Sequence, residues 1–128
     1  MNQALVDAAL AARLNAHAPF SHFMVGAAVE AEDGRIFTGC NVENATYGLT
    51  VCAERVAVFK AISEGARKFR SIAVSADSKT LCPPCGACRQ ILWVFLGDVP
   101  LTLVNLEGRT ETMRISEIFP RPFDASFL

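Results

Sequence analysis

The chain has 128 residues, 52% of them hydrophobic and 20% charged, and carries a formal net charge of -1. That length closes one hydrophobic core and leaves little for a second, so a single domain over residues 1–128 is expected; the apolar lean excludes disorder and points to surface buried by self-association. The near-neutral balance supplies no broad basic field, which excludes a long polynucleotide as main ligand and favours a small, nearly neutral one.

Residues 2–16 are rich in Ala and Leu, with Leu5, Ala8, Ala9, Ala12 and Ala16 at helical spacing until Ala18-Pro19 interrupts the pattern, so the chain should open with a helix. Strands are expected from Met24 to Val29 and from Arg35 to Thr38, with Glu32-Asp33-Gly34 as the reversal between them. The stretch from Cys40 to Thr50 has no period and is full of Asn, Gly and Thr, which reads as a surface loop of the kind that holds ligands. Residues 53–64 form a second helix, with Val56, Phe59, Ala61 and Ile62 near one face and Gly65 as its stop signal. A short strand is expected from Ser71 to Ser75, and Pro83-Pro84 forbids helix before Cys85, so a third helix begins near Cys85 and runs through Phe95. Leu101 to Val104 and Arg109 to Arg114 flank Glu107-Gly108 as two further strands, followed by an irregular tail. The order α-β-β-α-β-α-β-β predicts an α/β protein with a mixed sheet and helices packed on it.

No apolar run approaches the roughly 20 residues that span a bilayer, and the amino terminus lacks the basic-then-apolar order of a secretion signal, so a cytoplasmic location is expected. The five cysteines, Cys40, Cys52, Cys82, Cys85 and Cys88, are then more readily explained by metal ligation than by a disulfide framework. Two segments place cysteine at the first turn of a helix, where outward backbone N–H groups stabilise thiolate: Cys52-Ala53-Glu54 and Pro84-Cys85-Gly86-Ala87-Cys88. Cys85 and Cys88 are three residues apart, so one helical turn brings both sulfurs to one side of a tetrahedral Zn²⁺, and Cys52 completes a three-thiolate set. Three protein ligands leave a fourth position for water, the arrangement of a catalytic zinc site. Glu54, two residues beyond Cys52, stands where a proton shuttle is needed. Cys82-Pro83-Pro84-Cys85 also spells a redox dithiol, but that reading leaves Cys52-Ala53-Glu54 unexplained. Cys40 and Cys82 read as ordinary thiols.

This pattern resembles the signature of the zinc deaminases, H-x-E followed by P-C-x-x-C, with Cys52 where His is otherwise written. Four blocks extend the resemblance over nearly the whole chain to the small, homotetrameric cytidine deaminases: residues 18–28 (APFSHFMVGAA), 39–48 (GCNVENATYG), 52–55 (CAER) and 84–90 (PCGACRQ). The resemblance implies a three-layer α-β-α fold around a five-stranded mixed sheet and one zinc ion per subunit on Cys52, Cys85 and Cys88. It also implies hydrolytic deamination of cytidine, and of 2'-deoxycytidine, to uridine or deoxyuridine plus ammonia in pyrimidine salvage. In that reaction zinc-held hydroxide attacks C4 while Glu54 carries the proton to N3 and then to the departing amine.

By the same resemblance Phe23 lies against the cytosine ring, Asn41 and Glu43 hold ribose hydroxyls, and Ala53 belongs to the substrate-binding set. Ala45, Tyr47 and the carboxy-terminal Phe123 reach the site of an adjacent subunit, so the active sites are shared within a homotetramer. Taken alone, Phe23 reads as a core aromatic, Glu43 as a solvated loop carboxylate and Arg55 as a helix-surface arginine. Three thiolates outweigh the +2 of zinc, and the resemblance assigns Arg55, with the two helix amino termini, the task of withdrawing that excess charge. The chain departs from the family pattern at Phe20, His22 and Val94, where Tyr, Lys and often Glu are usual; Trp93 beside Val94 should enlarge the apolar surface. His17 and His22 read as loop residues outside the ligand set. A deaminase of a modified cytidine or nucleoside antibiotic, and a zinc-stabilised binding module without turnover, are the alternatives.

Overall fold

The computed structural model describes residues 2–128. Asn2 starts the first helix, α1 (Gln3–Arg13), by accepting the Leu5 N–H at 3.2 Å on its side-chain oxygen. The hairpin follows as β1 (Val25–Ala31) and β2 (Ile36–Cys40), reversed at Gly34, whose φ of +93° is the left-handed conformation that glycine adopts freely. Then come α2 (Ala53–Ser63), β3 (Phe69–Ala76), α3 (Gly86–Leu96), β4 (Pro100–Val104) and β5 (Thr110–Arg114). The tail is not wholly irregular, since one-turn α4 (Ile115–Ile118) and a 3₁₀ turn at Ala125–Phe127 organise it.

The five strands form one mixed sheet in the order β2-β1-β3-β4-β5, with β3 and β4 parallel and every other pair antiparallel. Alternating side chains feed two cores. Leu5, Val6 and Ala9 of α1 meet Ala28, Ala73 and Val104 on one face. Ala57, Val58 and Ala61 of α2 and Leu92 and Leu96 of α3 meet Val29, Ile72, Val74, Leu101 and Leu103 on the other. The layering is therefore α-β-α, as expected. Complete burial of Ile72, Leu92 and Leu101 contributes roughly 1.5–3 kcal/mol each, which makes the second, larger core the main source of stability.

Both helix layers press closely on the sheet. A Cβ at Gly26 would stand 2.1 Å from the Ala9 oxygen, and one at Gly39 would stand 2.4 Å from the Ala57 nitrogen. This approach explains a departure from the expected face of α2. Small Ala53, Ala57 and Ala61 with Val58 turn to the sheet, whereas Phe59 is 43% exposed and makes an edge-to-face contact with Phe95. Trp93 is also less exposed than expected, because its indole N–H donates to Asp124 at 3.0 Å and its ring packs on the larger core.

Register decides where the site lies. Val25 pairs with Ala76 and Gly26 with Cys40, so one end of the sheet gathers the start of β1 and the ends of β2 and β3. The chain leaves that end through the loops that lead into α2 and α3.

Candidate active site and metal centre

Cys52 and Cys85 occupy the same position on two different helices. Each is the residue before the first helical turn, with extended backbone (φ -69°, ψ 155° and φ -65°, ψ 167°), and Cys88 stands one turn into α3. Extended Pro83-Pro84 keeps the third helix from starting earlier, because proline forces its predecessor out of helical geometry. The three sulfurs lie within 4.8 Å of one another. A tetrahedral zinc with Zn–S bonds of about 2.3 Å requires sulfurs about 3.8 Å apart, so small side-chain adjustments satisfy it. Soft thiolate donors, two helix amino termini and three rather than four ligands all fit a zinc ion with one position left open.

The electrostatics follow from crowding three thiols around one point. Cys52 is held down at about 5, first by the hydrogen bond it receives from the Cys88 thiol and then by Arg55. Cys88 is pushed up because it keeps the proton that it shares with Cys52 and is buried. Of this pair Cys52 is thus the thiolate, and a divalent cation must displace the Cys88 proton. Arg55 Nη2 lies 3.4 Å from the Cys52 sulfur and 3.3 Å from the Thr50 carbonyl oxygen, while its buried Nε has no partner. That guanidinium is held in place to face thiolate. Glu54 is 5% exposed, and burial raises its carboxyl above the usual range.

Cys52 and Cys85 open into a cavity of about 250 Å³ whose wall includes Phe23, Asn41, Glu43, Ala53 and Glu54, while Cys88 is buried. Larger hollows exist, such as one of about 440 Å³ between the β1–β2 turn and residues 65–68, but no such constellation of acid and thiols converges there. Asn41 is buried and spans Phe23 and Val25, donating to the Phe23 oxygen at 2.7 Å and accepting the Val25 N–H at 2.9 Å. Glu43 accepts the N–H groups of Phe20 and Ser21 at 2.9 and 3.1 Å and the Ser21 hydroxyl.

Not every predicted residue lines this cavity. Tyr47, 75% exposed, borders a neighbouring hollow with Phe20, on which it packs edge-to-face at 5.9 Å; Ala45 is exposed on the same loop. Phe123 is exposed, stacks on Phe127 and is tied to α3 by Gln90 Nε2 donating to its carbonyl at 2.7 Å. Ser21, Thr50 and Val74 line the cavity without a role assigned from sequence, because nothing local in a spacing pattern marks them, and Cys82, read from sequence as an ordinary thiol, lines it too. Cys82 lies outside the three-sulfur cluster and its thiol is pushed up, chiefly by burial, which is opposite to the acidified thiol that a redox dithiol requires. No helix among the described residues is long and apolar enough to cross a membrane.

Residues 1–99 match the family model described as the cytidine and deoxycytidylate deaminase zinc-binding region. A cytidine deaminase of Sporosarcina psychrophila is 49% identical over 113 residues, 88% of this chain and 83% of its own. One of Halalkalibacterium halodurans is 48% identical over 124 residues, covering 96% of this chain and 94% of the relative. The crystal structure of cytidine deaminase from Burkholderia pseudomallei superposes with a TM-score of 0.91 at 44% identity, over 96% of this chain and 99% of that one.

Proposed function

Since the chain belongs to the cytidine and deoxycytidylate deaminase family, we propose that it hydrolyses cytidine to uridine and ammonia, using one zinc ion per subunit. The observation that carries this reading is the meeting of three sulfurs within 4.8 Å, two of them sharing with buried Glu54 the wall of one cavity that also holds Phe23, Asn41 and Glu43. Cys52, Cys85 and Cys88 hold the metal. A bound zinc supplies the Lewis acidity that makes water nucleophilic at neutral pH.

Glu54 is the catalytic residue. As carboxylate it takes one proton from the attacking water and delivers it to N3 so that C4 becomes electrophilic; it then takes the second proton from the new C4 hydroxyl and passes it to the departing amine, so that ammonia leaves, the C4 carbonyl forms and the carboxylate is restored. Burial keeps bulk water from competing for that proton. Phe23 offers a face to the pyrimidine, Ala53 leaves room beside it, and Asn41 and Glu43 present the polar groups that a sugar hydroxyl needs in a largely apolar cavity. Arg55 offsets the excess negative charge of three thiolates.

The reading extends to 2'-deoxycytidine, a role in pyrimidine salvage, a cytoplasmic location and one deaminase domain over residues 1–128. It includes a homotetramer in which Ala45, Tyr47 and Phe123 serve an adjacent subunit, supported by the exposure of Tyr47 and Phe123 outside their own chain's cavity. The test is ammonia release from cytidine by the zinc-loaded protein, before and after chelation. Turnover that survives complete metal removal overturns the proposal.

A further inference from the structure

The hydroxyl of Ser21 joins the two halves of the cavity wall. Ionised Glu43 can only accept, so the single Ser21 hydroxyl proton goes to its Oε2, and Ser21 Oγ must then accept the Phe23 N–H, 3.0 Å away. The surrounding turn is tight, with the His22 N–H donating to the Ala18 oxygen at 3.0 Å and His22 in the left-handed region at φ 59°. That turn brings the backbone N–H groups of Phe20 and Ser21 onto Glu43 Oε1. Two carboxylate oxygens offer about four acceptor positions, and these donors fill three of them. The Ser21 hydroxyl is the foremost of the groups that hold the Glu43 carboxyl below its ordinary range, followed among the donors by the backbone N–H groups of Ser21 and Phe20.

From this geometry we infer that Ser21 is a positioning residue for substrate recognition: it locks Glu43 against the Phe23 backbone so that one acceptor position on Oε2 remains for a 2' or 3' hydroxyl of the sugar. The inference rests on the proposed nucleoside reading of the cavity. A free glutamate must be ordered each time substrate binds, whereas one held by three donors is ordered beforehand.

The experiment compares the zinc-loaded parent with Ser21→Ala and Ser21→Thr on cytidine and on 2',3'-dideoxycytidine, which lacks the 2' and 3' hydroxyls of the sugar. For cytidine, Ser21→Ala should raise KM roughly tenfold with kcat changed less than about twofold, and Ser21→Thr should restore KM. For the dideoxy compound KM should stay at the parent value. An unchanged KM for cytidine, or an equal rise for both compounds, overturns the assignment, the latter because it makes Ser21 a determinant of loop shape alone. Should Ser21→Ala not fold, Ser21→Cys, with a weaker donor in nearly the same volume, must show a KM rise confined to cytidine. A parent that binds cytidine without turnover refutes the proposed reaction and leaves this one to calorimetry, where equal affinities of parent and Ser21→Ala for cytidine overturn it.

Discussion

At the scale of single residues, the site separates two tasks that one acidic cluster could not perform together. Thiolate is favoured at Cys52 by a donated hydrogen bond and by Arg55, while burial favours the protonated form of Glu54 next door. Glu54→Gln should therefore keep zinc at one equivalent and lower kcat by at least about 10²-fold, because the amide cannot relay a proton. Metal analysis together with ammonia release checks this, and turnover near the parent rate would remove Glu54 from the mechanism. Arg55→Gln should retain the fold and weaken zinc, by roughly 10–100-fold in a competition with a chelator, because its guanidinium contacts the Cys52 sulfur. Cys52-Ala53-Glu54 and Pro84-Cys85-Gly86-Ala87-Cys88 were legible from spacing since each set is local to a single helix start. Ser21 was not, because Glu43 lies 22 residues away and only the folded loop brings them together.

At the scale of elements, two contacts carry the geometry. Gly39 lets β2 lie against α2 with no Cβ between them. Gly39→Ala should cost about 1–3 kcal/mol through overpacking and, since α2 carries Cys52 and Glu54, should also speed zinc loss; thermal melting and a metal-release assay read the two effects. Asp98, just before β4, accepts the Ser116 N–H at 2.8 Å and its hydroxyl at 2.9 Å, and pairs with Arg114 at 3.3 Å. These partners, the Ser116 N–H first, lower its carboxyl below the ordinary value. The folded chain thus takes up this proton at lower pH than the unfolded chain does, so the carboxylate stabilises the fold above about pH 4 and loses that effect as pH falls through the folded value. Asp98→Ala should melt below the parent at pH 7, with the gap shrinking as the pH is taken below about 4. A gap independent of pH would show that the charge plays no part.

At the scale of the whole molecule, aromatic surface remains uncovered. Tyr47 is 75% exposed, Phe123 57% and Phe127 71%, and Phe59, Val94 and Phe95 are exposed on α2 and α3. In the proposed tetramer such groups are buried between subunits. Light scattering should give four times the 13.8 kDa chain mass, and Phe123→Ala should lower kcat/KM while the metal content stays at one zinc per chain. A fully active monomer would contradict the shared site. Removal of zinc should lower the melting temperature of the assembly, because a ligand that binds only the folded state stabilises it by mass action.

Element order, the glycine turn at Gly34 and the two cysteine-bearing helix starts were readable in the sequence, since each depends on residues within a turn or two of one another and on the chemistry of thiol, carboxyl and proline, whereas the meeting of Cys52 with Cys85 and Cys88 is made by the fold. Tertiary structure alone decided the packed face of α2. Apolar residues surround that helix, so periodicity could not choose between the Phe59 side and the Ala57 side, whereas the space above Gly39 admits only the small one. The pairing of Ser21 with Glu43 and the entry of Cys82 and Val74 into the cavity wall likewise waited on the register of β1 against β2 and β3. Local chemistry is written along the chain, but which distant groups meet is set by how the sheet aligns its strands and how closely the helices can approach it.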